Sequence, residues 1–232
     1  MLENKSFLLN SKKFKQNLKK TKKEFNFLYS DYKNFNLPFL QSYKKNYDLD
    51  FSPELVKKFS KYRNIIIFGM GGSILGTKCI YSFLKRKIKK KVFFFDNLDS
   101  NLYLKFKKIN NLKNSCFIVI SKSGNTLETI VNFSTIFSKP LMQNKLLVIT
   151  EIKNNLLMQI ADRYNAEIIE HKNFIGGRYS VLSEVGMFPA KLMGLNIAKF
   201  KNIDKFLKNK LFVNSLIRPM FTDLYISISD SW

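Results

Sequence analysis

The nine residues Ser121-Lys122-Ser123-Gly124-Asn125-Thr126-Leu127-Glu128-Thr129 place the hydroxyls of Ser121, Ser123, Thr126 and Thr129 directly after the apolar run Cys116–Ile120. A helix is expected over 126–138, so these hydroxyls gather at its start. Free backbone N–H groups and the positive end of the dipole suit such a place to an anion. Thr126 and Thr129 are three apart and share a helix face. One hydroxyl would suffice to cap the helix; four make a phosphate cradle with the backbone of Lys122, Gly124 and Asn125. Lys122 adds charge, or only its N–H if the side chain points away.

Two further segments have chemistry in them. Gly69-Met70-Gly71-Gly72-Ser73-Ile74-Leu75-Gly76 follows the apolar run 64–68. Its glycines let a ligand approach the backbone, and Gly72 and Ser73 stand at the mouth of the helix that follows. A dinucleotide fold is the rival, with Asp96 in the place of a ribose-binding acid. That fingerprint needs glycine where this chain has Ile74. The third segment is Gly176-Gly177-Arg178-Tyr179-Ser180-Val181-Leu182-Ser183-Glu184-Val185-Gly186. A fixed guanidinium stabilises developing negative charge, which makes Arg178 the catalytic candidate, while Gly177 allows close approach. His171, the single histidine, is read as an exposed loop residue.

The elements that must position these segments are short. Strands are expected at 64–68, 92–95, 116–120, 146–149 and 167–169, apolar as strands buried on both faces are. Helices fit between them near 74–84, 100–109, 126–138 and 154–164. Ser52 caps a short helix opened by Pro53. This alternation predicts a parallel sheet covered on both sides, which binds ligands beyond the carboxyl ends of its strands. Ahead of it, Phe7, Leu8, Leu9, Phe14, Leu18, Phe25 and Leu28 form a loose helical stripe, interrupted at Pro38. The expected organisation is a helical extension over 1–50, a ligand-binding domain over 51–200, and a connection over 201–232.

Composition excludes other classes. No apolar run nears the roughly 20 residues of a membrane span, and no signal peptide is evident. Cys79 and Cys116 sit in apolar stretches and read as buried thiols in a reducing compartment. The net charge of +23 raises the possibility of nucleic acid. The lysines, however, are spread through the chain with abundant Asn, Ile and Phe. The cluster Lys85–Lys91 reads as a solvated turn, and no nucleic-acid recognition motif accompanies it.

Taken together, the segments resemble a known family. A strand ending in Ser-x-Ser/Thr-Gly-x-Thr-x-Glu/Asp-Thr is similar to sugar isomerase domains, which bind phosphosugars. The Gly-x-Gly-Gly-Ser-x-x-Gly loop narrows the resemblance to glucose-6-phosphate isomerases. Gly176–Gly186 resembles their stretch Gly-Gly-Arg-Tyr/Phe-Ser-x-x-Ser/Thr-x-x-Gly. The resemblance runs from about residue 60 to 195. It implies a flavodoxin-like five-stranded fold and reversible isomerisation of D-glucose 6-phosphate and D-fructose 6-phosphate, in glycolysis and gluconeogenesis. Arg178 would steady the enediolate. The phosphosugar would sit on Gly72, Ser73, Ser121, Lys122, Ser123, Gly124, Asn125, Thr126, Thr129 and Gly177. No metal or organic cofactor, no specific nucleic acid and no membrane is implied, and the full-length protein would be a cytoplasmic homodimer.

The family's base, a glutamate in a Glu-Ser-x-Gly-Lys-like context in a second α/β domain, matches nothing here, nor do its ring-opening histidine and C-terminal lysine. Pro219–Trp232 has no lysine or arginine. The expectation is a truncated chain, inactive by itself. A non-catalytic phosphosugar-binding module is the alternative.

Overall fold

The computed structural model describes residues 12–136, 139–215 and 217. The stripe residues Phe7, Leu8 and Leu9 and the tail Pro219–Trp232 lie outside them. In chain order the helices and strands are α1 (Lys12–Asn34), α2 (Pro53–Ser60), β1 (Asn64–Gly69), α3 (Gly72–Leu84), β2 (Lys91–Phe95), α4 (Leu102–Lys107), β3 (Ser115–Ile120), α5 (Leu127–Ile136), α6 (Lys139–Met142), β4 (Leu146–Thr150), α7 (Leu156–Tyr164), β5 (Glu167–Glu170), α8 (Glu184–Leu192) and α9 (Asp204–Leu207). Short 3₁₀ helices include Lys85–Lys87 and Gly177–Leu182. The described chain forms two compact units, one of residues 42–201 and one built from the segments on either side of it.

In the larger unit the five strands pair in parallel in the order β2-β1-β3-β4-β5. The residues of β1, β3 and β4 are buried throughout, as the sequences NIIIFG, SCFIVI and LLVIT require, apolar except for Asn64, Ser115 and Thr150 at strand ends. The outer strands are partly exposed. Alternation along β1 splits the core in two. Ile65 and Ile67 meet Phe59 of α2, Ile74 of α3 and Phe188 and Leu192 of α8. Ile66 and Phe68 meet Phe106 of α4, Phe133 of α5 and Leu157 and Ala161 of α7. Fully burying a side chain of this size contributes roughly 1.5–3 kcal/mol. Ser52 caps α2, its Oγ accepting from Leu55 N–H at 3.2 Å.

Because the strand order reverses direction between β1 and β3, the helices after them leave on opposite faces. A crevice opens there beyond the strand ends, the place where doubly wound sheets bind ligands. The glycine loop follows β1 and the hydroxyl-rich loop follows β3, so the topology sets these two segments side by side.

In the smaller unit α1 buries Phe14 and half-buries Leu18, Phe25, Tyr29 and Tyr32 along one face. Phe25, Tyr29, Tyr32 and Phe35 succeed one another with ring centroids 6.4, 6.2 and 5.7 Å apart. Leu28 falls off this stripe and is exposed, because period 3.6 carries it to the solvent side.

Two expectations about single residues are overturned. Cys116 is buried in β3, and burial pushes its thiol up to about 12. Cys79 is exposed. It stands midway between Leu75 and Phe83 on the outward face of α3, both also exposed, so an apolar neighbourhood in sequence did not mean a buried one. His171 is buried, not exposed, at 1% accessibility. Its Nδ1 lies 3.2 Å from the Lys172 carbonyl, which can only accept, so Nδ1 carries the proton and Nε2 is left as an unpartnered lone pair. Burial lowers its pKa, and Lys122 adds to the effect.

A second buried polar group lies at the start of α8. Glu184 is wholly buried and accepts from Tyr47 OH at 3.0 Å and Asp50 N–H at 3.2 Å. Burial raises its pKa against the pull of those donors. Lys201 lies over the Tyr47 ring, 4.4 Å from its centroid, with a buried and unpartnered Nζ. Burial lowers its pKa to about 8 from an ordinary 10.5, partly opposed by Glu184. Between those values the unfolded chain holds more protons than the fold, so stability rises with pH across that window and carries the burial penalty below it. Lys201→Met removes this slope. Thermal unfolding at several pH values is expected to show wild type gaining on the variant above pH 8; a constant gap would mean that Lys201 titrates as an ordinary lysine.

Candidate functional site

The β1 loop turns at Gly71, whose φ of 54° is open to glycine. Gly71 accepts from the N–H groups of Ile74 and Leu75 at 3.1 and 2.9 Å and so begins α3. Gly72 then packs backbone to backbone on the arginine segment. A Cβ at Gly72 would fall 2.3 Å from the Gly177 carbonyl carbon and 2.8 Å from the Arg178 nitrogen. Ser180 Oγ secures the contact from below, donating to the carbonyl of Gly177 at 2.7 Å.

The β3 loop is shaped by its own hydroxyls. Ser121 Oγ and Thr126 Oγ1 are 2.8 Å apart, and Ser121 Oγ accepts from Gly124 N–H at 3.2 Å. Ser123 Oγ accepts from Asn125 N–H at 3.2 Å. Thr126 is the residue whose carbonyl starts α5, accepting from Ile130 N–H at 3.1 Å. Its hydroxyl pairs with that of Ser121, and because either oxygen can be the donor there, Thr126 can turn its own proton toward a ligand when Ser121 donates. Gly124 adopts φ +72°, and a Cβ there would strike Asn155 Oδ1 at 2.0 Å. Glu151 N–H donates to the Lys122 carbonyl and Leu157 N–H to the Gly124 carbonyl, each at 3.1 Å, stitching this loop to the one after β4.

The three loops meet. Gly72, Ser73, Lys122, Ser123, Thr126 and Gly177 line one cleft of about 320 Å³ with Met70, Glu151 and Lys153. Gly71, Gly72, Gly177 and Arg178 line a second of about 540 Å³ with Leu75, Gly76 and Val181. Gly72 and Gly177 are common to both. Arg178 is exposed at its position.

Not every candidate reaches a cleft. Ser121 is buried beneath the loop and organises it. Gly124 backs onto Asn155. Asn125 Oδ1 accepts from Leu156 N–H at 2.9 Å, a supporting contact. Thr129 lies one turn below Thr126, buried, its Oγ1 without a partner. Asp96, weighed as a ribose ligand, pairs with Lys78.

Glu151 and Lys153 escaped notice in the sequence. They follow β4, the one interior strand whose exit was not read for chemistry. Glu151 is mostly shielded and pairs with Lys153, with Lys122 Nζ at 3.6 Å. Burial raises its pKa, but the two ammonium groups prevail and hold it below the usual carboxylate value.

Comparison with known proteins bears on the family and the fold. A family model described as phosphoglucose isomerase matches residues 55–218. A glucose-6-phosphate isomerase of Methanocaldococcus jannaschii is 34% identical over 179 residues, 71% of this chain and 44% of its own. One from Mesomycoplasma hyopneumoniae is 36% identical over 146 residues, covering 57% of this chain and 34% of its own. The crystal structure of a glucose-6-phosphate isomerase from Chlamydia trachomatis matches with a TM-score of 0.52 at 25% identity, over 71% of this chain and 35% of that one. A hypothetical protein of Thermus thermophilus shares the fold, with a TM-score of 0.62 at 18% identity, over 93% of this chain and 53% of that one. The chain thus spans less than half the length of the curated relatives it matches.

Proposed function

The chain belongs to the phosphoglucose isomerase family, and from that premise we propose that its joined clefts bind glucose 6-phosphate and fructose 6-phosphate for their interconversion. What carries this reading is the convergence of Ser123, Thr126, Gly72 and Gly177 on one cleft at the head of α5. The phosphate would take the Ser123 and Thr126 hydroxyls and the loop N–H groups, with the start of α5 favouring its charge. The sugar would extend past the shared glycine wall toward Arg178. There the guanidinium would stabilise the enediolate formed when a proton moves between C1 and C2. The same reading places the reaction in glycolysis and gluconeogenesis, in the cytoplasm, with a longer homodimeric protein as its bearer.

Binding without turnover is the second reading for this chain alone. It is favoured by the engagement of Glu151, the carboxylate of the cleft, with two lysines.

Calorimetric titration with glucose 6-phosphate and with glucose tests the site. The phosphate ester is expected to bind and the free sugar not. Thr126→Val, which keeps the shape and removes the hydroxyl, should weaken the ester roughly tenfold, the worth of a hydrogen bond to a charged group. Equal binding of both sugars, or a Thr126→Val chain that binds like wild type, would refute the assignment.

A further inference from the structure

We propose that the Lys122 side chain is a strut between the phosphate loop and the arginine-bearing loop, and that it positions Arg178 instead of gripping the phosphate. Its Nζ donates to the Asn173 carbonyl at 2.7 Å and stands 3.6 Å from Glu151 Oε1. An ammonium has three protons and no acceptor, and here it is drawn toward the β5 side of the cleft. Asn173 belongs to a turn closed by Ile175 N–H on the Lys172 carbonyl at 3.1 Å and anchored by the wholly buried Ile175. Gly176 follows, its carbonyl accepting from Tyr179 N–H at 2.9 Å, with Gly177 and Arg178 in between. The lysine therefore fastens the turn that leads straight into the arginine.

The other end of the strut is equally fixed. The Lys122 carbonyl accepts from Glu151 N–H at 3.1 Å and from Thr150 Oγ1 at 3.4 Å. Glu151 thus holds the same residue twice, by its N–H at the backbone and by its carboxylate near the ammonium. An anion in the cradle has the Ser123 and Thr126 hydroxyls and the helix start to receive it, so it needs no contribution from Nζ. Lys122 joins three strand exits: its own, that of β4 through Glu151, and that of β5 through Asn173.

This role presupposes that the cleft is a phosphosugar site, as proposed above. The full 232-residue chain and its Lys122→Met variant are titrated with inorganic phosphate and with glucose 6-phosphate. Backbone amide exchange is followed over residues 174–180 without ligand. The affinity for glucose 6-phosphate should fall about tenfold more than that for inorganic phosphate, the size of one charge-assisted hydrogen bond. Exchange over 174–180 should quicken by a similar factor, since the opening of that segment loses its tie. Equal losses for the two probes would make Lys122 an anion ligand and overturn the strut. Unchanged exchange overturns it whatever the probes do. If wild type binds neither probe, the phosphosugar reading fails; the exchange then decides the strut alone, faster exchange supporting it.

Discussion

Purified as the 232-residue chain, the protein is expected to show essentially no conversion of fructose 6-phosphate to glucose 6-phosphate. Moving a proton between C1 and C2 needs a base within hydrogen-bond reach, and the loss of such a group costs roughly 10²–10⁴ in rate. Among the described residues the clefts offer a single carboxylate, Glu151. It is paired with Lys153, near Lys122, and held below the usual carboxylate value, so it is a weak base. Glu184 is wholly buried behind Tyr47 and Asp50. Glu128 is on α5 but lines neither cleft, and His171 lies buried outside both. The check is a coupled assay for glucose 6-phosphate on material freed of host isomerase. Turnover at an ordinary enzymatic rate would overturn the expectation, and its loss in Glu151→Gln would identify the base.

The second large effect is expected at the glycine wall. Gly72→Ala drives a methyl into backbone, 2.3 Å from the Gly177 carbonyl carbon and 2.4 Å from its oxygen. Overpacking a well-filled site typically costs about 1–3 kcal/mol, and backbone cannot swing aside as a side chain does. Denaturant unfolding should show a loss at the upper end of that range, and phosphosugar binding should disappear with the displaced loops. Gly177→Ala is the control, because a Cβ there meets only the Gly72 Cα, at 3.9 Å. Its stability should stay within about 0.5 kcal/mol of wild type, as for a substitution that disturbs no packing, while phosphosugar binding weakens. Equal stability of the two variants would show that the loops are not in the contact described.

Much of this was legible in the chain itself, and the reasons differ from place to place. The five strands announce themselves because they are apolar, short and punctuated, and each observed span matches its expected one to within a residue at either end. Ser52-Pro53 fixed the start of α2 by local chemistry alone. The three loops could be located because each follows a strand, and topology then joined them. Sequence could not say which side chains cross between loops. Lys122 and Glu151 are far apart in the chain and meet only because β3 and β4 are neighbours. Cys79 and His171 were misplaced for a related reason. Burial depends on which elements cover a face, and the apolar neighbours of Cys79 on α3 are themselves uncovered.

The partly exposed outer strands have a bearing on how the protein behaves in concentrated solution. The free edge of a sheet is a template on which another chain can add a strand. Here each edge carries charge. β5 begins and ends in glutamate, Glu167 paired with Lys58 and Glu170 with Lys172. β2 opens on the exposed Lys91, and Asp96, just past its end, pairs with Lys78. A strand added from outside would have to strip these ion pairs of water or break them before its first backbone hydrogen bond formed, so the described sheet resists joining its neighbours edge to edge.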